Sequence, residues 1–109
     1  MTVEVLYFEG CPSFEALLPR LRELVAEHGT NPAEIALHVV ETLEAAEAAG
    51  FLGSPSVRVN GRDVDPTAAQ RDDFGLKCRI YRSGEGASRT PPDAWIRAAL
   101  AATSPPAGS

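Results

Sequence analysis

The chain has 109 residues, of which 44% are hydrophobic and 23% charged, enough apolar content for one packed core and too short a length for two. Ten Lys and Arg against 15 Asp and Glu leave a net charge of −5. That charge opposes attachment to polyanions, which needs clustered cations, so neither nucleic acid nor membrane is an expected partner. No apolar run approaches the ~18 residues of a membrane span, and Met1 to Val5 carry no basic or apolar signal region, so a cytoplasmic location is expected.

Val3-Glu4-Val5-Leu6-Tyr7-Phe8 is rich in β-branched and aromatic residues and ends at Gly10, which predicts a buried first strand. From Pro12 to about His28 the residues Phe14, Leu17, Leu18, Leu21, Leu24 and Val25 recur at offsets of three and four, the stripe of an amphipathic helix. Pro19 interrupts its hydrogen bonding, and Gly29 stops it. Glu34 to Val40 alternates as a second strand, and Thr42 caps a short helix that reaches Ala49 and ends at Gly50.

Ser56-Val57-Arg58-Val59 and Arg62-Asp63-Val64 are joined by Asn60-Gly61, the strongest short signal for a two-residue hairpin. Asp65 to Asp73 reads as a loop or short helical turn, and Leu76 to Arg82 resumes a β-like pattern around Cys78, Ile80 and Tyr81. After a loop from Ser83 to Thr90, Pro91-Pro92-Asp93 opens a last helix that packs Trp95, Ile96 and Leu100. The expectation is a single domain over residues 3–102, followed by an unstructured, proline-rich tail over 103–109.

Two cysteines are too few for a disulfide scaffold in a reducing compartment, so their positions carry the chemical argument. Cys11 stands where the first helix begins. Free backbone N–H groups and the helix dipole favour a thiolate there, and the thiolate is the nucleophile; a small buried core cysteine is the alternative. Ser13 is placed to donate to the sulfur or to cap the helix. Cys78 is either a second thiol brought to Cys11 by the fold or a cysteine packed among Leu76, Ile80 and Tyr81. Lys77, Arg79 and Arg82 around it read as a solvated face.

His28 and His38 lack the paired spacing of zinc ligands, and Glu41, Glu44 and Glu47 recur as a solvated helix face. No phosphate loop, His-Glu-x-x-His motif or Ser-His-Asp set is present, so neither a metal nor a cofactor is expected.

The order of strand, Gly10-Cys11-Pro12, helix, strand, helix and Gly53-Ser54-Pro55-Ser56-Val57 ahead of a hairpin resembles the thioredoxin-like superfamily over residues 3–64 and the closing helix. It resembles there a group of small bacterial proteins, some related to selenoproteins, that share the Gly-Cys-Pro and Gly-Ser-Pro segments. The resemblance implies a three-layer α/β/α fold with a mixed sheet of about four strands, plus an extra strand near 76–82. It also implies a cis Pro55 whose preceding residue, Ser54, turns its backbone toward an extended peptide or thiol.

Phe14 stands where a Cys-x-x-Cys motif would place its second cysteine, so the ordinary dithiol is absent. The implied function is thiol-dependent redox chemistry, a thiol–disulfide oxidoreductase if it turns over. Cys11 is then the nucleophile, Pro12, Ser13, Ser54 and Pro55 line the site, and Cys78 or an external thiol resolves the intermediate. Its partner is a thiol or disulfide, small or carried on a protein. The alternatives are a noncatalytic binder of a thiol, a soft metal or a protein, and a redox sensor.

Overall fold

The computed structural model describes residues 2–84 and 86–103. In chain order the elements are β1 (Val3–Tyr7), α1 (Pro12–Glu27), β2 (Ala36–Val39), α2 (Leu43–Ala49), β3 (Ser56–Val59), β4 (Arg62–Asp63), β5 (Tyr81–Ser83), β6 (Gly86–Ser88) and α3 (Asp93–Thr103). Short 3-10 turns at Pro32–Glu34 and Ala68–Gln70 complete the set. Four strands form a mixed sheet in the order β2-β1-β3-β4, with β1 parallel to β2 and antiparallel to β3. Among the described residues no helix is long and apolar enough to cross a membrane.

The alternation of β1 decides where the helices go, because successive side chains leave a strand on opposite faces. Val3 and Val5, with Val57 and Val59 beside them, meet Leu17, Leu21, Leu24 and Val25 of α1 and Ile96 and Leu100 of α3. Leu6, on the other face, meets Val40, Phe51 and Ala46 of α2. The result is a mixed α/β fold with helices on both faces of the sheet. Arg20 of α1 ties the two helices of the larger core together through a pair of hydrogen bonds to Asp93 of α3.

The local signals have local causes. Thr42 caps α2 through its hydroxyl, which accepts from the Ala45 amide, and Gly50 closes the helix in the left-handed region. Asn60 and Gly61 both have positive φ, 51° and 80°, as the hairpin turn between β3 and β4 requires. Phe14 stacks flat on Tyr7 with ring centroids 3.7 Å apart, so the first turn of α1 is pinned to the end of β1 by an aromatic pair.

The stretch from Leu76 to Arg82 departs from expectation. Instead of one added strand, it makes an isolated parallel bridge between Ser54 and Cys78 and then enters a separate hairpin, β5 with β6, that takes up part of the expected 83–90 loop. The expected tail, apart from Thr103 at the end of α3, lies outside the described residues.

Gly53 sits where this segment crosses. Its φ is +126°, and an added Cβ would come within 3.0 Å of both the Arg79 Cβ and the Lys77 carbonyl oxygen, so neither the backbone nor the space admits a side chain. Gly53→Ala should lower stability by about 1–3 kcal/mol, read as a shift in the urea midpoint. An unchanged midpoint would show that the crossing is loose.

Candidate functional site

The segment from Gly10 to Ser13 brings Cys11 to the N-cap of α1, with Pro12 in the first helical position, where the lost N–H costs nothing. Cys11 is only 2% exposed and makes no side-chain cap; the site residues after it are an exposed Pro12 and a half-buried Ser13. The expected capping role of Ser13 is not taken up, because Cys11 itself is the N-cap residue. Both cysteines are free thiols, and Cys78, unlike Cys11, is exposed.

Ser54 lies between the two cysteine-bearing segments. Its hydroxyl accepts a 3.3 Å hydrogen bond from the amide of Phe8, three residues before Cys11. Its own amide donates to the Lys77 carbonyl at 2.8 Å, and its carbonyl accepts from the Arg79 amide at 3.0 Å. The Ser54–Pro55 bond is cis.

The backbone of Ser54, expected to turn toward an extended peptide or thiol, is paired within the chain. Both hydrogen-bonding groups are taken by the residues on either side of Cys78, and the Ser54 and Pro55 side chains are fully buried. Tyr81 completes the cover, since its hydroxyl donates to the Pro55 carbonyl.

Arg79 locks this cover in place. Its side chain is fully buried, where the sequence suggested a solvated cation. The guanidinium forks onto both oxygens of Asp63, at 2.6 and 3.0 Å, reaches Asp65 at 3.3 Å and donates to the Ser56 hydroxyl at 2.9 Å. It also lies 4.4 Å from the centre of the Tyr81 ring, a cation–π placement. Planar bidentate pairing suits arginine and no other side chain. Its Nε has no partner among the described residues.

Electrostatics follow from this burial. Burial pushes the Asp65 carboxyl up, but the Thr67 amide and hydroxyl together with the Arg79 charge outweigh it and hold the group below its ordinary value. Burial pushes the Tyr81 phenol well above its usual range, the nearby Arg79 charge only partly offsetting it, so Tyr81 stays a neutral donor to Pro55.

The Arg79 network is the feature that sequence reasoning missed. The available signal was period two from Cys78 onward: Arg79 and Tyr81 fall on one side, and Cys78 and Ile80 on the other. Hydrophobicity favours burying Leu76 and Ile80, yet they are 42% and 48% exposed, while Arg79 and Tyr81 are buried.

A cavity of about 790 Å³ lies beside β4 between Arg58, Phe74 and Trp95 and includes neither cysteine. No group of three or more potential metal ligands occurs among the described residues. His38 instead faces Glu4 at 3.0 Å. Comparison with protein-family models, with curated proteins and with solved structures finds no match to this chain.

Removing the buried cation strands two carboxylates. Arg79→Leu should cost about 3–5 kcal/mol at neutral pH, and Arg79→Lys, which keeps charge without the fork, should cost less. A second expectation concerns acid. A carboxyl held below its unfolded value contributes stability that is present above about pH 3.9 and lost as pH falls through the folded value. Urea midpoints of the unsubstituted protein should fall in that acid window, and Asp65→Asn should be weaker at pH 7 with a shallower acid loss. Parallel acid profiles would remove Asp65 from this role.

Proposed function

We propose that this protein is a thioredoxin-like, thiol-dependent redox protein whose reaction passes through two thiols, Cys11 and Cys78. What supports the fold reading is the order of elements: a strand, a cysteine at the N-cap of the next helix, a parallel second strand, and a proline ahead of an antiparallel hairpin. The observation that carries the redox reading is the position of Ser54. Its side chain is bonded to the loop that delivers Cys11, and its backbone to both residues flanking Cys78.

The chemistry is thiol–disulfide exchange. A thiolate attacks a disulfide sulfur, a mixed disulfide forms with expulsion of one thiolate, and the second protein thiol displaces the other. Two protein thiols become one disulfide as the substrate disulfide becomes two thiols. The missing Cys-x-x-Cys partner is supplied from outside α1, because Phe14 is committed to its stack on Tyr7 and to the core. Strand-wise capture of an extended peptide at Ser54 is disfavoured, since the groups it would use are already paired within the chain.

Equilibration in glutathione redox buffers, followed by peptide mapping, tests the pairing. The oxidised monomer should carry a Cys11–Cys78 link that neither Cys11→Ser nor Cys78→Ser can form, and both variants should lose disulfide-reducing turnover. Thiols that stay reduced, or that link only between chains, would defeat the two-thiol reading.

A further inference from the structure

The two thiols differ in access, and that difference orders their roles. Cys11 is 2% exposed, whereas Cys78 is exposed on a segment hydrogen-bonded to Ser54 and anchored by Arg79. A substrate disulfide must bring its sulfur into contact with the attacking one, so a buried sulfur is poorly placed for the first encounter. The surroundings of Cys78 also carry a chemical preference. Leu76 and Ile80, two residues to either side, are apolar side chains that are exposed as well.

The two cations adjacent to it in the chain are engaged elsewhere, Lys77 with Asp73 at 2.8 Å and Arg79 in its buried pairing with Asp63 and Asp65, while Arg82 lies four residues on. The thiol is thus framed by apolar surface and not by free charge from its immediate neighbours. Exposed leucine and isoleucine taken singly need no explanation, but two that bracket an exposed thiol on a braced segment form a surface an apolar group can cover.

Resting on the two-thiol reading above, we propose that Cys78 is the thiol that meets the substrate and that the substrate is a small apolar disulfide seated against Leu76 and Ile80. The Cys78 thiolate attacks one sulfur of R–S–S–R, forming the Cys78–S–S–R bond and expelling RS⁻, which takes up a proton. The Cys11 thiolate then attacks the Cys78 sulfur, expelling the second RS⁻ and leaving the Cys11–Cys78 disulfide. Two electrons and two protons pass from protein to substrate. This order reverses the one implied by the helix N-terminus alone, which would give Cys11 the first attack.

Single-turnover reaction with 4,4′-dithiodipyridine, an uncharged aromatic disulfide that releases a chromophoric thione, tests both parts. The unsubstituted protein should release two equivalents and end with the Cys11–Cys78 link. Cys11→Ser should release one and hold the mixed disulfide on Cys78, and Cys78→Ser should react slowly. The double variant Leu76→Ser/Ile80→Ser, whose positions are exposed and so tolerant of change, should react about tenfold more slowly with this probe. Its rate with the polar, charged glutathione disulfide should be unchanged.

Fast adduct formation on Cys11 in Cys78→Ser would overturn the order while leaving the two-thiol reading intact. Equal slowing of both disulfides, or of neither, in the double variant would overturn the apolar preference. Release of only one equivalent from the unsubstituted protein, with the adduct persisting on Cys78, would defeat the two-thiol reading and with it the second step. That failure is separable from the other two because Cys78 is still labelled.

Discussion

A guanidinium with no exposed surface needs compensating charge and hydrogen bonds around it, and Arg79 obtains them from Asp63, Asp65 and Ser56. These partners come from β3, β4 and the turn after β4, while Arg79 itself belongs to the segment that follows the 3-10 turn at Ala68–Gln70. One cation therefore joins the far edge of the sheet to a stretch of chain that reaches Ser54, just ahead of β3, through an isolated bridge at Cys78. Planar pairing also sets rotation about the segment's axis. With Arg79 facing inward, Tyr81 must face inward and Cys78 outward.

The candidate site inherits its shape from that orientation. Ser54 and Pro55 are covered because the Lys77–Tyr81 stretch is laid over them, taking both backbone groups of Ser54 and the Pro55 carbonyl. Gly53 is the position that lets the two stretches approach so closely, since its missing Cβ is the space the Arg79 Cβ and Lys77 carbonyl use. A place where an outside strand could add is thereby filled from within the chain. What remains at the surface is one thiol between two apolar side chains, and the proposed exchange with a small disulfide is the chemistry that suits this arrangement.

The main elements were legible because their signals are local and redundant. The three- and four-residue spacing of Leu17, Leu21, Leu24 and Val25, the cap at Thr42 and the Asn60-Gly61 turn each act within a few residues, and tertiary contacts agree with them. The placement of Cys11 at a helix start was legible for the same reason. The segment around Cys78 was not. Its hydrophobic residues suggested burial of Leu76 and Ile80, but the ion-pair network outweighs that preference and turns the opposite face inward.

By itself the sequence determined the periodicities, the caps and turns, and the presence of two thiols without a Cys-x-x-Cys motif, all properties of residues close together along the chain. Tertiary structure alone decided that Arg79 would be a core residue, that Ser54 and Pro55 would be covered, and that Cys11 would be buried while Cys78 is exposed. Those outcomes depend on Arg79 meeting Asp63 and Asp65 across an intervening loop, and on the balance between the cost of burying its charge and the gain from pairing it. No window of local sequence contains both sides of that balance.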